Sequence, residues 1–400
     1  MSIDNTPETD QRLGHDFDVS DPALAACPYD AWKQFRESGE IVHSDQHGGY
    51  YVISRHADVS AAATDVDTFR SFPSAAIPSL PWPPMPLIEQ DNPEHHKFRR
   101  LVNPWVSASK VSQEEPWIRN LVKSLADDLL ARDTFDFAYE LARPFARGVA
   151  LHFIGLPDSD KELDRSIDVL MADRDLAQPH VAEAAGAFLG AIGKAAAERR
   201  QDPREDLISG LVAGTVDGEP LTDEQVLYTA TAVTVGGLDT TMGALSIIAK
   251  YLLENPADRQ RLVDEPDLLD SAIEEFIRWS ATLTGTARTV SKDVEFAGCP
   301  MKEGDRVWIL WASGSRDPEA FENPDDVHLD RRPNKHLGFG LGPHRCVGSH
   351  VAKGILRVAI SELAGPLGEF EIADPDQVTW FMRETRGISH LPIRRKGTGA

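Results

Sequence analysis

Apolar residues recur at helical spacing along most of the chain. Tyr29, Trp32 and Phe35 lie three residues apart within residues 28–38, which predicts a helix with one buried face. Most of residues 106–200 show the same spacing. We therefore expect a fold that is mainly α-helical.

Shorter stretches favour strands. Residues 40–44 and 49–54 are rich in β-formers on either side of a Gly-containing turn, which predicts a hairpin. Residues 289–294 and 306–310 show a similar composition. These segments predict a small β lobe beside the helices.

The longest predicted helix begins at a capping box formed by Thr222 and Gln225. It can continue without a break to Glu254, and about 32 residues at the standard rise span about 48 Å. Gly236 and Gly237 interrupt its middle, although each costs about 1 kcal/mol relative to Ala inside a helix. A structural or functional reason is therefore needed for them.

One face of this helix is nearly bare. Val233, Gly236, Gly237 and Thr240 follow helical spacing, so they share that face. Close packing against another helix explains such a face, and so does a groove for a bound molecule. The two explanations remain open on spacing alone.

Residues 71–88 differ from the rest because six prolines alternate with apolar residues. Such a segment can form neither a helix nor a central strand, so it predicts an irregular loop. An apolar loop in a strongly acidic protein is expected to cover a cavity or to pack on the core.

Composition narrows the function classes. The chain has 400 residues, 41% of them hydrophobic, and a formal charge of −23, which argues against nucleic acid as a partner. Three scattered cysteines suit a reducing cytoplasm. Residues 1–21 are polar and acidic, so we expect a disordered tail rather than a signal or membrane anchor, followed by one domain over 22–395.

The densest chemical signal lies between residues 334 and 348, where four glycines and a proline surround Cys346. A lone cysteine there has no local partner for a disulfide or a tetrahedral zinc site. It can instead bind the metal of a cofactor. The alternative is a Gly-rich turn that ends in a buried structural cysteine.

The spacing Phe339-Gly340-x-Gly342-x-His344-x-Cys346-x-Gly348 closely resembles the cysteine-loop signature of the cytochrome P450 family. The resemblance implies a helix-rich triangular prism with a small β lobe and a long central helix over the cofactor. It also implies haem b, with Cys346 as the axial ligand of the iron and Phe339, His344 and Gly348 beside the cofactor. A thiolate ligand favours O–O cleavage, which is oxygenase chemistry.

Two further stretches match the family. His95 and Arg99 share one helix face and are similar to the H-x-x-x-R pair that bonds the haem propionates, although alone they read as a solvated basic turn. Gly236-Gly237-x-Asp239-Thr240 is similar to the motif in which the glycines leave room for dioxygen. The resemblance makes Asp239 and Thr240 the catalytic proton relay.

The scaffold of the cysteine loop is also recognisable. Spacing alone accepts either of two adjacent acids as the partner of Arg278, and the family's E-x-x-R selects Glu275, with Arg331 as third member. By the same resemblance, Arg288 and His336 are expected to bind the propionates.

The resemblance places three stretches around the substrate. The predicted pocket residues carry no charge; they are Ile77, Leu80, Trp82, Met85, Leu87, Val233, Leu283 and Thr286. Because an unpaired ion is costly in such a site, we expect a neutral, compact, apolar substrate such as a terpenoid or an aromatic. The alternative is that Arg383 reaches in and holds a substrate carboxylate.

The expected activity is insertion of one atom of O2 into that substrate, with electrons from NAD(P)H delivered through a ferredoxin and its reductase to a monomeric enzyme. The alternatives are a peroxygenase that uses hydrogen peroxide and a haem carrier or sensor without catalysis. A basic group near Cys346 is the expected docking patch for the ferredoxin; its members are Lys335, Arg345, Lys353 and Arg357.

Overall fold

The computed structural model describes residues 13–80, 82–158, 160–173 and 175–397. Helices dominate, as expected. The α-helices in this part of the chain are α1 (Tyr29–Ser38), α2 (His56–Thr64), α3 (Glu94–Val102), α4 (Ala108–Leu130), α5 (Arg143–Ile154), α6 (Lys161–Ala172), α7 (Pro179–Arg199), α8 (Leu207–Val212), α9 (Asp223–Glu254), α10 (Pro256–Asp264), α11 (Leu269–Ser280), α12 (Trp311–Gly314) and α13 (Ser349–Leu363).

The strands are short. In chain order they are β1 (Val42–Ser44), β2 (Tyr50–Ile53), β3 (Phe69–Arg70), β4 (Thr134–Asp136), β5 (Thr215–Val216), β6 (Glu219–Pro220), β7 (Thr286–Val290), β8 (Val294–Phe296), β9 (Cys299–Met301), β10 (Arg306–Ile309), β11 (Phe370–Ile372), β12 (Thr379–Met382), β13 (Arg386–His390) and β14 (Pro392–Arg395).

The main sheet has the order β1-β2-β10-β7-β3 and forms the β lobe. The predicted hairpin is present, because β1 pairs antiparallel with β2 and Val42 lies opposite Val52. Strand β10 adds parallel to β2, and β7 runs antiparallel to β10. This sheet carries the segment after α11 to one wall of the central cavity.

Helix α9 begins as the sequence predicts. The Thr222 hydroxyl accepts from the Gln225 amide, and the Gln225 side chain accepts from the Thr222 amide, so the capping box is complete. The helix runs for 32 residues and ends before Pro256. In the part of the chain that the structure describes, α9 is the one helix that is both long enough and apolar enough to cross a membrane. However, 72% of its most apolar stretch is buried inside the protein, as in a core helix.

Helix α9 joins two large hydrophobic clusters. Val226 and Leu238 belong to the cluster around α3, α7 and α8, whereas Leu245 and Ile248 belong to the cluster around α4, α5 and α13. One helix therefore holds the two halves of the helical core together, and the cavity lies along its middle.

The segment before α1 corrects one expectation. The predicted disordered tail covers residues 1–21, but Phe17 and Val19 are buried in the cluster under the β lobe. The Phe17 carbonyl also accepts from the Ser44 hydroxyl at 2.7 Å. The prediction is wrong for residues 13–21, and residues 1–12 lie outside the described part.

Candidate functional site

A cavity of about 410 Å³ lies between the middle of α9, the Pro-rich loop and the segment around Cys346. The Pro-rich loop is irregular, as its prolines require, and it forms the roof of the cavity. We call residues 71–80 and 82–90 the roof loop. Apolar side chains make up most of the wall.

The loop that carries Cys346 is held close to its neighbours. Gly340 and Gly342 have φ of 66° and 74°, and a Cβ on Gly342 would lie 2.5 Å from the Ala63 carbonyl oxygen, so glycine is required there. The Cys346 amide donates to the Phe339 carbonyl at 2.8 Å. Cys346 lines the cavity, and the other free cysteines, Cys27 and Cys299, do not.

The Cys346 thiol lies in a mixed environment. Burial raises its pKa, while the Gly348 amide and the guanidinium groups of Arg99 and Arg345 act in the opposite direction. Phe339, His344 and Gly348 line the cavity beside it. A cation bound against the sulfur would favour the thiolate, as metal ligation does for cysteine.

Two histidine rings lie against each other here, His344 within the loop and His95 on α3. The rings of His95 and His344 have centroids 4.0 Å apart. Burial, with nearby positive charges, lowers the pKa of His95 to about 4 and that of His344 to about 3. Both ring nitrogens of His95 are buried and have no hydrogen-bond partner within the described ranges. Because buried polar groups are normally hydrogen-bonded, this ring is suited to bind a polar group of a ligand.

Arg288 is a buried cation on the cavity wall, close enough to act on both histidines. Its side chain is 5% exposed, and it donates to Thr286 Oγ1 at 3.2 Å and to the Ala287 carbonyl at 2.7 Å. No salt bridge to Arg288 occurs among the residues that the structure describes, and burial lowers its pKa to about 10. Arg99 also lines the cavity and donates to the Pro343 carbonyl at 2.9 Å.

These residues fit a haem. Its propionates are carboxylates, which suit the unsatisfied His95 ring and the Arg288 and Arg99 guanidinium groups. Its iron suits the cavity-facing sulfur of Cys346. Arg99, Arg288 and Cys346 line the cavity, whereas His95 is not itself on the wall but lies against His344, which is.

His336 does not belong to this group, so the prediction that it contacts the cofactor is wrong. Its Nε2 lies 2.8 Å from Glu274 Oε2, and its Nδ1 accepts from the Gly338 amide at 3.1 Å. The side chain is 6% exposed and lies behind the loop rather than in the cavity wall. The family spacing gave its position in the loop but not the direction of its ring.

The bare face of α9 forms the opposite wall. Gly236, Gly237, Asp239 and Thr240 all line the cavity. A Cβ on Gly236 would meet nothing within 4 Å, so this glycine leaves open space and does not serve close helix packing. Thr240 Oγ1 donates to the Gly236 carbonyl at 2.7 Å, which fixes the hydroxyl beside that space.

The scaffold beneath the loop has the predicted pairing. Glu275 is fully buried, and its carboxylate accepts hydrogen bonds from Nε and Nη2 of Arg278 at 2.8 Å each. Arg331 Nε adds contacts of 3.0 Å to both carboxylate oxygens. Asn334 also donates to Glu275, at 3.1 Å, so this one carboxylate joins α11 to the segment that leads into the cysteine loop.

Most of the predicted substrate pocket lies on the cavity wall. The residues found there are Leu80, Trp82, Met85, Leu87, Val233, Leu283 and Thr286. The prediction that Ile77 lines the pocket is wrong, because its side chain belongs to the hydrophobic cluster of Trp32, Tyr50 and Trp308 under the β lobe. The alternative with Arg383 is also wrong, since Arg383 Nη2 donates to the Ala172 carbonyl at 2.8 Å and the residue is not on the cavity wall.

Sequence reasoning missed two carboxylates in this wall, Glu89 and Glu384. Glu89 is 8% exposed, and its Oε1 accepts from the Ser74 hydroxyl and the Ala75 amide at 3.2 Å each. Its Oε2 accepts from the Met85 amide at 2.9 Å. Glu89 therefore joins both arms of the roof loop, which no local sequence signal indicates.

The comparisons with known proteins agree with this geometry. The family model described as Cytochrome P450 matches residues 179–394. Cytochrome P450 130 of Mycobacterium tuberculosis is 31% identical over 387 residues, which cover 92% of this chain and 95% of that protein. Erythromycin C-12 hydroxylase of Saccharopolyspora erythraea is 31% identical over 380 residues, covering 90% and 93%.

Solved structures show the same relationship. The crystal structure of CYP108D1 from Novosphingobium aromaticivorans has a TM-score of 0.83 at 26% identity and covers 94% of this chain and 97% of its own. A mutant of P450 EryK in complex with erythromycin B has a TM-score of 0.82 at 29% identity, with coverage of 96% and 100%. The chain therefore belongs to the cytochrome P450 family and is a haem-dependent monooxygenase of the bacterial type.

Proposed function

We propose that this protein binds haem b through Cys346 and hydroxylates a small, neutral, largely apolar substrate such as a terpenoid or an aromatic. The observation that carries the proposal is one cavity with Cys346 in its wall and the open groove at Gly236 in the opposite wall, where the unsatisfied His95 ring lies against the cavity-lining His344. When bound, the haem supplies oxygen activation at a thiolate-ligated iron.

The chain's own residues divide the remaining work. His95, Arg99, Arg288 and His344 would hold the propionates by charge and hydrogen bonding. Thr240 Oγ1, fixed by the Gly236 carbonyl, would present its oxygen to the groove, and Asp239 beside it would exchange protons. The roof loop and α9 would exclude water and orient the substrate.

The cavity lining supports the substrate class, because ligand pockets for apolar molecules are lined mainly by hydrophobic and aromatic side chains. Leu80, Trp82, Met85 and Val233 supply apolar contacts. Each apolar carbon buried against them contributes about 0.8 kcal/mol.

Electrons are proposed to come from NAD(P)H through a ferredoxin that docks near Cys346 on a monomeric, cytoplasmic enzyme. Of the basic group there, Lys353 lies 2.9 Å from Glu274, Arg357 contacts Glu115, and Arg345 donates to the Ser349 hydroxyl at 3.1 Å. The carboxylates of Glu274 and Glu115 reduce the positive charge that Lys353 and Arg357 offer to an acidic partner, whereas the neutral Ser349 hydroxyl leaves the charge of Arg345 in place. Rates of reduction that do not change with ionic strength would contradict docking on this patch.

The decisive experiment measures NADH consumption and product with and without added ferredoxin. We expect both to require ferredoxin, and the reduced carbon monoxide complex to show the red-shifted Soret band of a thiolate ligand. Cys346→Ser should lose that band, whereas the matched controls Cys27→Ser and Cys299→Ser should keep it. Product from hydrogen peroxide alone would favour a peroxygenase, and haem binding without product would favour a carrier or sensor.

A further inference from the structure

Glu274 connects the two ends of the cysteine loop to one helix. It lies on α11, next to Glu275, and its two carboxylate oxygens have different partners. Oε2 lies 2.8 Å from His336 Nε2, on the segment before Cys346. Oε1 lies 2.9 Å from Lys353 Nζ, on the helix after Cys346.

The contact on the first side reaches the loop backbone. His336 Nδ1 accepts from the Gly338 amide at 3.1 Å, so the ring hydrogen lies on Nε2 and is donated to Glu274. Gly338 is pressed against α11, because a Cβ there would lie 2.8 Å from Ile277 Cγ2. The His336 imidazole therefore connects Glu274 on α11 to the backbone at the start of the loop.

The contact on the second side holds helix α13. Lys353 lies in the second turn of α13, which begins three residues after Cys346, and the side chains of Lys353 and Glu274 are 31% and 35% exposed. Burial alone would raise the pKa of Glu274, but the hydrogen bonds from His336 and Lys353 and the charge of Lys353 lower it to about 2. The carboxylate is therefore ionised at neutral pH, and each of its oxygens accepts from a polar donor.

Glu275 does not make these contacts. Its oxygens are occupied by Arg278, Arg331, Asn334 and the His328 amide, all of which lie before His336 in the chain or on α11 itself. The two adjacent glutamates therefore hold different parts of the structure. Glu275 holds the segment that leads to the loop, and Glu274 holds the loop's two ends.

We propose that Glu274 is a positioning residue for Cys346, which acts through His336 and Lys353 to set where the sulfur stands relative to the cofactor. The inference rests on the assignment of Cys346 as the haem ligand under the proposed function. It concerns the geometry of the thiolate and is separate from substrate and electron donor.

The test compares Glu274→Gln with Glu115→Gln in the haem-loaded enzyme. Glu115 is a matched control because it contacts Arg357, on the same helix as Lys353 and one turn further on, without touching the loop. The readout is the rate at which the red-shifted Soret band of the reduced carbon monoxide complex is lost in mild denaturant, with circular dichroism reporting global unfolding. We expect loss about fivefold faster in Glu274→Gln, equivalent to about 1 kcal/mol, and little change in Glu115→Gln.

A double-mutant cycle separates positioning from general destabilisation. Lys353→Met and His336→Phe should each accelerate band loss, and neither should add further acceleration in the Glu274→Gln background. Equal rates in Glu274→Gln and Glu115→Gln, or band loss that coincides with global unfolding, would overturn the inference. A wild-type protein without the shifted band would instead overturn the haem-thiolate assignment on which it rests.

Discussion

Replacing Glu89 by Ala should open the roof of the cavity while leaving the haem side unchanged. Glu89 accepts hydrogen bonds from Ser74, Ala75 and Met85, which lie on the two arms of the roof loop. The base of the loop has a second attachment, because Arg306 Nη2 donates to the Ser74 and Ala76 carbonyls at 2.8 and 2.9 Å. The substitution should therefore loosen the loop without detaching it.

The magnitude follows from the three donors that lose a carboxylate. At about 1 kcal/mol for each lost hydrogen bond, the substitution should lower the stability of the ordered loop relative to the open loop by about 3 kcal/mol. That free energy corresponds to about a 100-fold change in the ratio of ordered to open loop. Part of it is recovered when water hydrates the freed donors, so affinity for a ligand that needs the ordered roof should fall about 10- to 100-fold.

The assay is a titration of the haem-loaded enzyme with two azoles, followed by the shift of the Soret band. Imidazole is small enough to bind the iron without touching the roof, so its affinity should not change. A bulky phenyl-substituted imidazole contacts Leu80, Trp82 and Met85, so its affinity should fall. The control is Glu94→Ala, which removes an exposed glutamate on α3 whose Oε1 lies 3.3 Å from Lys97 Nζ.

Equal weakening of both azoles would show that the substitution disturbs the haem rather than the roof. Unchanged affinity for the bulky azole would show that the three hydrogen bonds do not hold the loop closed. Either result refutes the reasoning.

Three further predictions concern the scaffold and the proton relay. Thr240→Ala should keep haem and substrate binding but divert electrons into hydrogen peroxide, and an unchanged product yield per NADH would exclude the relay. Glu275→Gln should lower the free energy of unfolding by about 3–5 kcal/mol, measured with denaturant, because it leaves the buried Arg278 without a carboxylate; wild-type stability would contradict this. Because the pKa of Glu274 is lowered from its ordinary value of 4.5 to about 2, its ionised carboxylate stabilises the folded protein at pH values above 4.5. That stability is lost as the pH falls from 4.5 towards about 2. Acid titrations should therefore show a shallower loss of stability over that window in Glu274→Gln, and parallel curves would argue against it.

The parts of the site that sequence predicts are those in which neighbours along the chain are also neighbours in space. The bare face of α9 follows from helical periodicity, so Gly236 and Thr240 had to share a wall. The Glu275–Arg278 pair follows from the same periodicity on α11 together with the E-x-x-R spacing. Gly340 and Gly342 of the cysteine loop are fixed by positive φ angles that the loop needs locally.

The failures lie where direction depends on distant packing. Ile77 has the right character for a pocket residue, but the large apolar surface of Trp32 and Trp308 takes its side chain away from the cavity. Arg383 turns to a helix carbonyl, and His336 turns to Glu274, because each finds a partner that is remote in sequence. Such choices are made by tertiary contacts, which neither spacing nor propensity contains.

The anchoring of the roof loop has a consequence for how this enzyme can change. Its attachments at Glu89 and Arg306 are made mainly to backbone groups, so they do not depend on which side chains the loop presents. Leu80, Trp82 and Met85 can therefore be exchanged without loosening the frame that carries them. New substrate preferences should be accessible through single substitutions in this loop, while the fold and the oxygen chemistry are inherited intact.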